Sequence, residues 1–178
     1  MKLTKAKLKQ IIKESLGDEM KTKLFQLYFN PDHRQQAIEL SNSLGTPIDN
    51  DFFVGVNLRD AYLKGADLGG VNLKGAYLKG ADLGGANLSG ADLSGADLFD
   101  ADLSHADLSH ADLSGANLEN AYALETDLSN SNLTNAILNS TAMYSAILQG
   151  ANMKNITYDK YTSFPPRTEK DLNLDSSF

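Results

Sequence analysis

Ala91-Asp92-Leu93-Ser94-Gly95 is followed by Ala96-Asp97-Leu98-Phe99-Asp100, Ala101-Asp102-Leu103-Ser104-His105 and Ala106-Asp107-Leu108-Ser109-His110. The period is five. Followed outward in both directions, a large apolar residue recurs from Leu58 to Met153 in 20 consecutive slots, of which 17 are Leu, two are Met (Met143, Met153) and one is Ala (Ala123). Two residues before each slot stands a small residue, Ala in 15 of the 20, with Val56, Val71, Thr126, Ser131 and Thr141 as the rest. Between the two lies Asp or Asn in 14 of 20, and no insertion breaks the register.

A strict period of five excludes both common elements. On an α-helix each step of five advances the direction by about 500°, so the Leu residues spiral around the axis and form no stripe. On a flat strand five is odd, and successive Leu residues alternate faces. The spacing works if each repeat is a short extended piece followed by a corner. The small residue and the Leu then point inward, the Asx between them points outward, and two residues turn the chain. The second turn residue supports this, being Gly at positions such as 65, 70, 75, 80, 85, 90, 95 and 115, and Asp60, Asp100, His105, His110 or Asn120 elsewhere. These types best tolerate a positive φ. Glu125, Ser140 and Ser145 depart from them, which predicts a different turn type there.

Runs such as Ala91-Asp92-Leu93-Ser94-Gly95 and Ala106-Asp107-Leu108-Ser109-His110 resemble the pentapeptide-repeat family. The resemblance covers residues 51–158. It implies a mainly β fold, a right-handed quadrilateral β-helix with four repeats and 20 residues per coil, hence about five coils. Each inward Leu then stacks on the Leu one coil away and contributes about 1.5–3 kcal/mol by its burial. Ala123 leaves one slot short of bulk.

Composition fits a narrow rod better than a globule. The 178 residues are 42% hydrophobic but only 8% aromatic, with no Trp and no Cys, and the mean hydropathy is −0.31. Without cysteine there is no disulfide framework, thiolate metal site or cysteine nucleophile. Lys7, Lys9, Lys13 and Glu14 interrupt any apolar core of a signal peptide, and no run of about 18 apolar residues suggests a membrane span. A cytoplasmic location is the expectation.

The net charge of −7 is unevenly spread. Residues 1–50 carry 8 Lys+Arg and 6 Asp+Glu, while residues 51–178 carry 8 and 17. Between Lys79 and Lys154 there is no Lys or Arg, against Asp82, Asp92, Asp97, Asp100, Asp102, Asp107, Asp112, Glu119, Glu125 and Asp127. Such a surface repels phosphate backbones, so no direct nucleic-acid binding is expected. Arg59, Lys64, Lys74 and Lys79 give the first coil a basic edge.

An open β-helix exposes its ends and needs caps. Residues 1–50 read as an α-helical N-terminal cap: a helix over Thr4–Leu16 ended by Gly17, a second capped by Asp18 and running through Met20, Leu24, Leu27 and Tyr28, and a third entered at Asn30-Pro31-Asp32 and ended by Gly45 and Pro47. Phe52 and Phe53 lead into the first coil. Residues 159–178 read as a C-terminal cap and tail, with Tyr158 and Phe164 plugging the last coil. The Lys-rich N-terminal helix also suits a membrane surface or a partner, but Glu14, Asp18 and Glu19 balance its lysines and a cap is the favoured reading.

Chemistry is weakly represented. Residues 20 apart stack, so Asp67, Asn87, Asp107 and Asp127 form one outward column and Asn72, Asp92, Asp112 and Asn132 the next. Calcium wants six or more oxygens converging on a point, which a flat column does not provide. His105 and His110 occupy adjacent corners, too far apart to share zinc; His105 stacks on Glu125 instead. Ser104, Asp102 and His105 have the residue types of a hydrolytic triad, but alternating side chains on a convex rod leave no oxyanion hole. No catalytic residue, cofactor or metal is expected.

The residues that break the pattern are more informative. Phe99, Leu124 and Tyr144 replace the Ser that usually follows Leu, and Tyr122, Ile137 and Ile147 replace the outward Asx. Leu124 and Tyr144 stack, with Tyr122 on the same side, which predicts an apolar patch on coils four and five. Its uses are a partner or dimer surface, or a seat for residues 156–178. The expectation is a non-enzymatic interaction scaffold, monomer or homodimer, with an unidentified protein partner and no membrane. The family supplies an alternative: some members resemble B-DNA in shape and charge and bind type II topoisomerases such as gyrase. The acidic stretch fits that reading, whereas the longer rods, central Phe and inter-coil loops of those members have no counterpart in this sequence.

Overall fold

A computed structural model of the chain describes residues 17–29, 35, 36, 39 and 51–166. Eighteen parallel bridges join residues of successive coils, 17 of them between positions 20 apart, from Asn57↔Tyr77 to Ile137↔Thr157. Twenty residues per coil at five per repeat makes four sides. Their outward columns are Asn57–Tyr77–Asp97–Asn117–Ile137–Thr157 on the first side and Tyr62–Asp82–Asp102–Tyr122–Ala142–Ser163 on the second. The third side carries Asp67–Asn87–Asp107–Asp127–Ile147 and the fourth Asn72–Asp92–Asp112–Asn132–Asn152. Five intervals of about 4.8 Å make a rod roughly 24 Å tall. Each side contributes one bridged residue per coil, so the β character lies in the ladder between coils and not in long strands.

The hydrogen bonding follows from the five-residue unit. Leu93 N donates to Asp112 O at 2.7 Å, Gly95 N to Ser114 O at 2.8 Å, and Asp112 N returns a bond to Ala91 O at 2.9 Å. Each repeat therefore spends its extended donors on neighbouring coils. At the corner Ala96 N donates to Leu93 O at 3.0 Å, closing a four-residue turn whose third residue, Gly95, has φ +65°. This is the backbone of a type II turn, and it requires a residue that tolerates positive φ. The expected change of turn type at Glu125 and Ser140 does not occur: their φ values are +54° and +56°, like those of the glycines. Ser145 alone among the three lies outside that set. Its hydroxyl instead accepts the N–H of Glu125 at 3.0 Å.

Inside the rod, Leu68 through Leu118 are fully buried, and Ala at the small slots keeps the cross-section narrow. Ala123 is also fully buried, in the column Leu63, Leu83, Leu103, Ala123 and Met143. Polar small slots are satisfied. Thr126 and Thr141 donate their hydroxyls at 2.8 Å to Leu103 O and Leu118 O of the preceding coil, and Ser131 donates to Leu128 O at 2.7 Å.

Both ends carry aromatic rings in inward slots. Phe53 stands five residues before Leu58 and is buried there, with Gly55 as its corner at φ +66° and Gly55 N donating to Lys74 O at 2.9 Å. Helix α1, Asp18–Tyr28, lays Leu24 and Phe25 on this end. The Phe25 ring meets Phe53 edge-on at 5.0 Å, Phe29 lies 4.7 Å from Phe25, and Phe52 packs 5.1 Å from Phe53. The Thr22 hydroxyl donates to Asn57 O. The N-cap of α1 is Gly17, whose carbonyl accepts from Met20 N, so Asp18 is the first helical residue and not the cap. The expected first helix and the tail beyond Arg167 lie outside the described residues. So does most of the third helix, although residues 35, 36 and 39 are helical. At the other end Tyr158 and Phe164 pack partly buried against the core, their rings edge-to-face at 5.4 Å. The last bridge, Ala142↔Ser163, spans 21 residues, one more than the others.

Candidate interaction surface

The four outward columns have a common chemistry along most of the rod. Apart from Asp67, each Asp or Asn of these columns turns an oxygen onto the backbone two residues ahead: Asp92 Oδ1 accepts from Ser94 N, Asp102 from Ser104 N, and Asp107 from Ser109 N, all at 2.9 Å. Amides then bridge coils, as Asn87 Nδ2 to Asp67 Oδ1 at 2.8 Å and Asn132 Nδ2 to Asp112 Oδ1 at 3.0 Å. These side chains serve as local backbone partners. Ser104 and Asp102 are thus joined through a turn, and His105 points elsewhere, its Nδ1 lying 3.3 Å from Glu125 Oε2 in an exposed pair. Such a pair contributes about 0–1 kcal/mol.

The six pattern-breaking residues fall on three sides. Tyr122, Leu124 and Tyr144 share the second side, Leu124 and Tyr144 occupying equivalent positions of successive coils; Tyr122 is 52% and Tyr144 56% exposed. Ile137 ends the Asx run of the first side, half-buried, and Ile147 that of the third, 52% exposed. The six are thus spread over three sides, and the level of Ile137 and Ile147 carries an apolar belt around one coil. On three successive sides the outward residue at that level is Ile137, Ala142 and Ile147, and only the fourth keeps a polar Asn152. Phe99 does not join the belt. It lies two coils away and carries the Lys79 ammonium 4.5 Å above its ring. The described chain after Ile156 continues the coil through Ser163, and Tyr122 and Tyr144 are exposed; residues 167–178 of the segment expected to seat there lie outside the described residues.

Two residues of the same kind escape a reading confined to the later coils. Tyr62, 76% exposed, and Tyr77 also occupy outward Asx slots. Tyr77 is engaged by Arg59, whose guanidinium carbon sits 4.4 Å above the ring. The signal for both is the one that marks Tyr122: an aromatic in a slot otherwise given to Asx.

A family model for pentapeptide repeats matches eight copies across residues 57–95, 76–115, 96–135 and 111–150. The chain belongs to this family. Among solved structures it is similar to a pentapeptide repeat protein from the Arabidopsis thaliana thylakoid lumen, with 34% identity over 68% of this chain and 75% of that one, and a TM-score of 0.44. A pentapeptide repeat protein of the cyanobacterium Cyanothece is also 34% identical, over 61% of this chain and 64% of that one, with a TM-score of 0.37. QnrB1, a plasmid-mediated fluoroquinolone resistance protein, is 19% identical over 61% and 60%, with a TM-score of 0.34. This chain thus spans less than two thirds of the length of the last two. No curated protein matches it. Among the described residues, no helix is long and apolar enough to cross a membrane.

Proposed function

We propose that this pentapeptide-repeat chain is a non-enzymatic protein–protein interaction module, a right-handed quadrilateral β-helix closed at its N-terminal end by helices, and that it binds its partner through the second side. The observation that carries the reading is the exposure of Tyr122 and Tyr144 in positions that elsewhere hold Asx or Ser. Exposed Tyr beside apolar neighbours is the composition of binding hot spots, because the ring buries a large area at little cost in side-chain entropy. The test is to replace Tyr122, Leu124 and Tyr144 together by Ser and compare captured partners and sedimentation mass with wild type. Unchanged partners and mass would remove this side as the interface. The module works as a monomer or homodimer in the cytoplasm, a location that cell fractionation checks.

A second reading, from the family, is mimicry of DNA toward a type II topoisomerase. The absence of any Lys or Arg between Lys79 and Lys154 favours it. A gyrase supercoiling assay with purified protein separates the two: no effect at micromolar concentration rejects mimicry.

A further inference from the structure

The surroundings of the second side say what kind of partner it fits. Its apolar part spans two coils, Tyr122 bridged to Ala142 and Leu124 beneath Tyr144, and turns the next corner to Ile147. Two coils are about 10 Å high, which matches the diameter of one α-helix and falls short of a globular interface. The rim is acidic. Asp102 is bridged to Tyr122, Asp127 to Ile147, Glu125 holds the corner, and Glu119 stands on the corner before Tyr122. Lys160, at the corner leading into the last rung, is occupied over the Tyr161 ring at 4.9 Å.

We propose that the second side docks a single basic amphipathic segment, whose apolar face lies on Tyr122, Leu124 and Tyr144 and whose Lys or Arg side chains reach Asp102, Glu119, Glu125 and Asp127. This rests on the interaction reading above and adds the chemistry of the partner. Charge complementarity selects it: a second copy applied by the same side sets these carboxylates against their own copies, and an acidic partner meets the same repulsion. The apolar contact supplies the affinity, while the carboxylate rim fixes orientation and makes binding sensitive to salt.

The probe is a fluorescein-labelled helical peptide of about 18 residues with Leu on one face and Lys on the other, titrated with the full chain by fluorescence polarisation. Saturable binding is expected, about tenfold weaker for the combined Tyr122→Ser, Leu124→Ser, Tyr144→Ser variant. It should also weaken for Glu125→Gln with Asp127→Asn, and be unchanged for Asp92→Asn with Asp112→Asn on the fourth side. Equal loss from both acid pairs overturns the proposal, since net charge alone then explains binding. So does unaltered binding by the Ser variant, or a homodimer that this variant dissolves. Tyr144→Ser alone, with its thermal midpoint compared with wild type, replaces the triple variant if that does not fold. If the triple variant loses partners from lysate while wild type ignores the peptide, the interaction reading stands and the basic segment is rejected.

Discussion

Asp159 stands in for a piece of backbone that Ser140 needs. Along the corner between the first and second sides, Asp60, Gly80, Asp100 and Asn120 each donate their N–H to the carbonyl of the residue 19 positions on. Ser140 donates at 2.8 Å to a residue at the same separation, but to the Asp159 side chain. The extra residue that precedes Ser163 displaces the last rung, and the carboxylate fills the gap. It also accepts from the Ser140 hydroxyl at 3.0 Å and from the N–H groups of Tyr161 and Thr162 at 3.0 Å.

That cluster predicts a pH dependence. Burial acts to raise the Asp159 carboxyl, but the hydrogen bonds from Ser140, Thr162 and Tyr161 outweigh it and lower its pKa from 3.8 to about 2. A carboxyl depressed in the folded state contributes stability above its ordinary pKa, and loses it as pH falls from about 4 through about 2. Thermal midpoints of wild type and Asp159→Ala should differ at pH 7 and draw together across that window. A gap constant with pH would show that the carboxylate charge does not matter.

The corners predict opposite effects from opposite substitutions. His110 holds φ +59° with a side chain and Gly95 holds +65° without one. A left-handed residue bearing Cβ costs about 1–2 kcal/mol, less the entropy that Gly adds to the unfolded chain. His110→Gly should therefore stabilise by roughly 0.5–1 kcal/mol and Gly95→Ala destabilise by about 1 kcal/mol, as read by urea denaturation.

Leu93 tests the core. It is fully buried between Leu73 and Leu113, so Leu93→Ala should cost about 2–5 kcal/mol, from lost burial and the cavity left between coils. A loss under about 1 kcal/mol would mean that the coils collapse onto the gap.

Thr141 tests the buried hydroxyls. Leu118 O accepts both Ala121 N at 2.9 Å and the Thr141 hydroxyl at 2.8 Å. Thr141→Val removes the second bond and leaves the carbonyl paired, so the expected cost is about 1 kcal/mol by the same assay.

The inward half of the fold is legible residue by residue because burial imposes one requirement per slot. Phe53 fits as one more slot before Leu58, with Gly55 as its corner, and Tyr158 as one more after Met153. Phe164 does not fit by counting, since the extra residue before it depends on how Asp159 and Thr162 close the end. Phe52 occupies an outward slot yet is buried, its ring 5.1 Å from that of Phe53, a tertiary effect without local signature. The surface was legible only in part. Each substituted Asx slot announces an exposed side chain, but which of them become neighbours depends on the number of sides per coil. This is why Ile137 and Ile147 separate onto opposite sides and Phe99 pairs with Lys79.

Because every side carries the same inward pair, the rod works like a combination dial. Removing one five-residue repeat leaves Leu stacked on Leu but advances everything beyond it by a quarter turn, so Tyr144 would arrive on a side where Leu124 is not. Removing four repeats restores the alignment and only shortens the rod by about 4.8 Å. Variation in repeat number can therefore rewrite which surface residues meet while the interior registers no change.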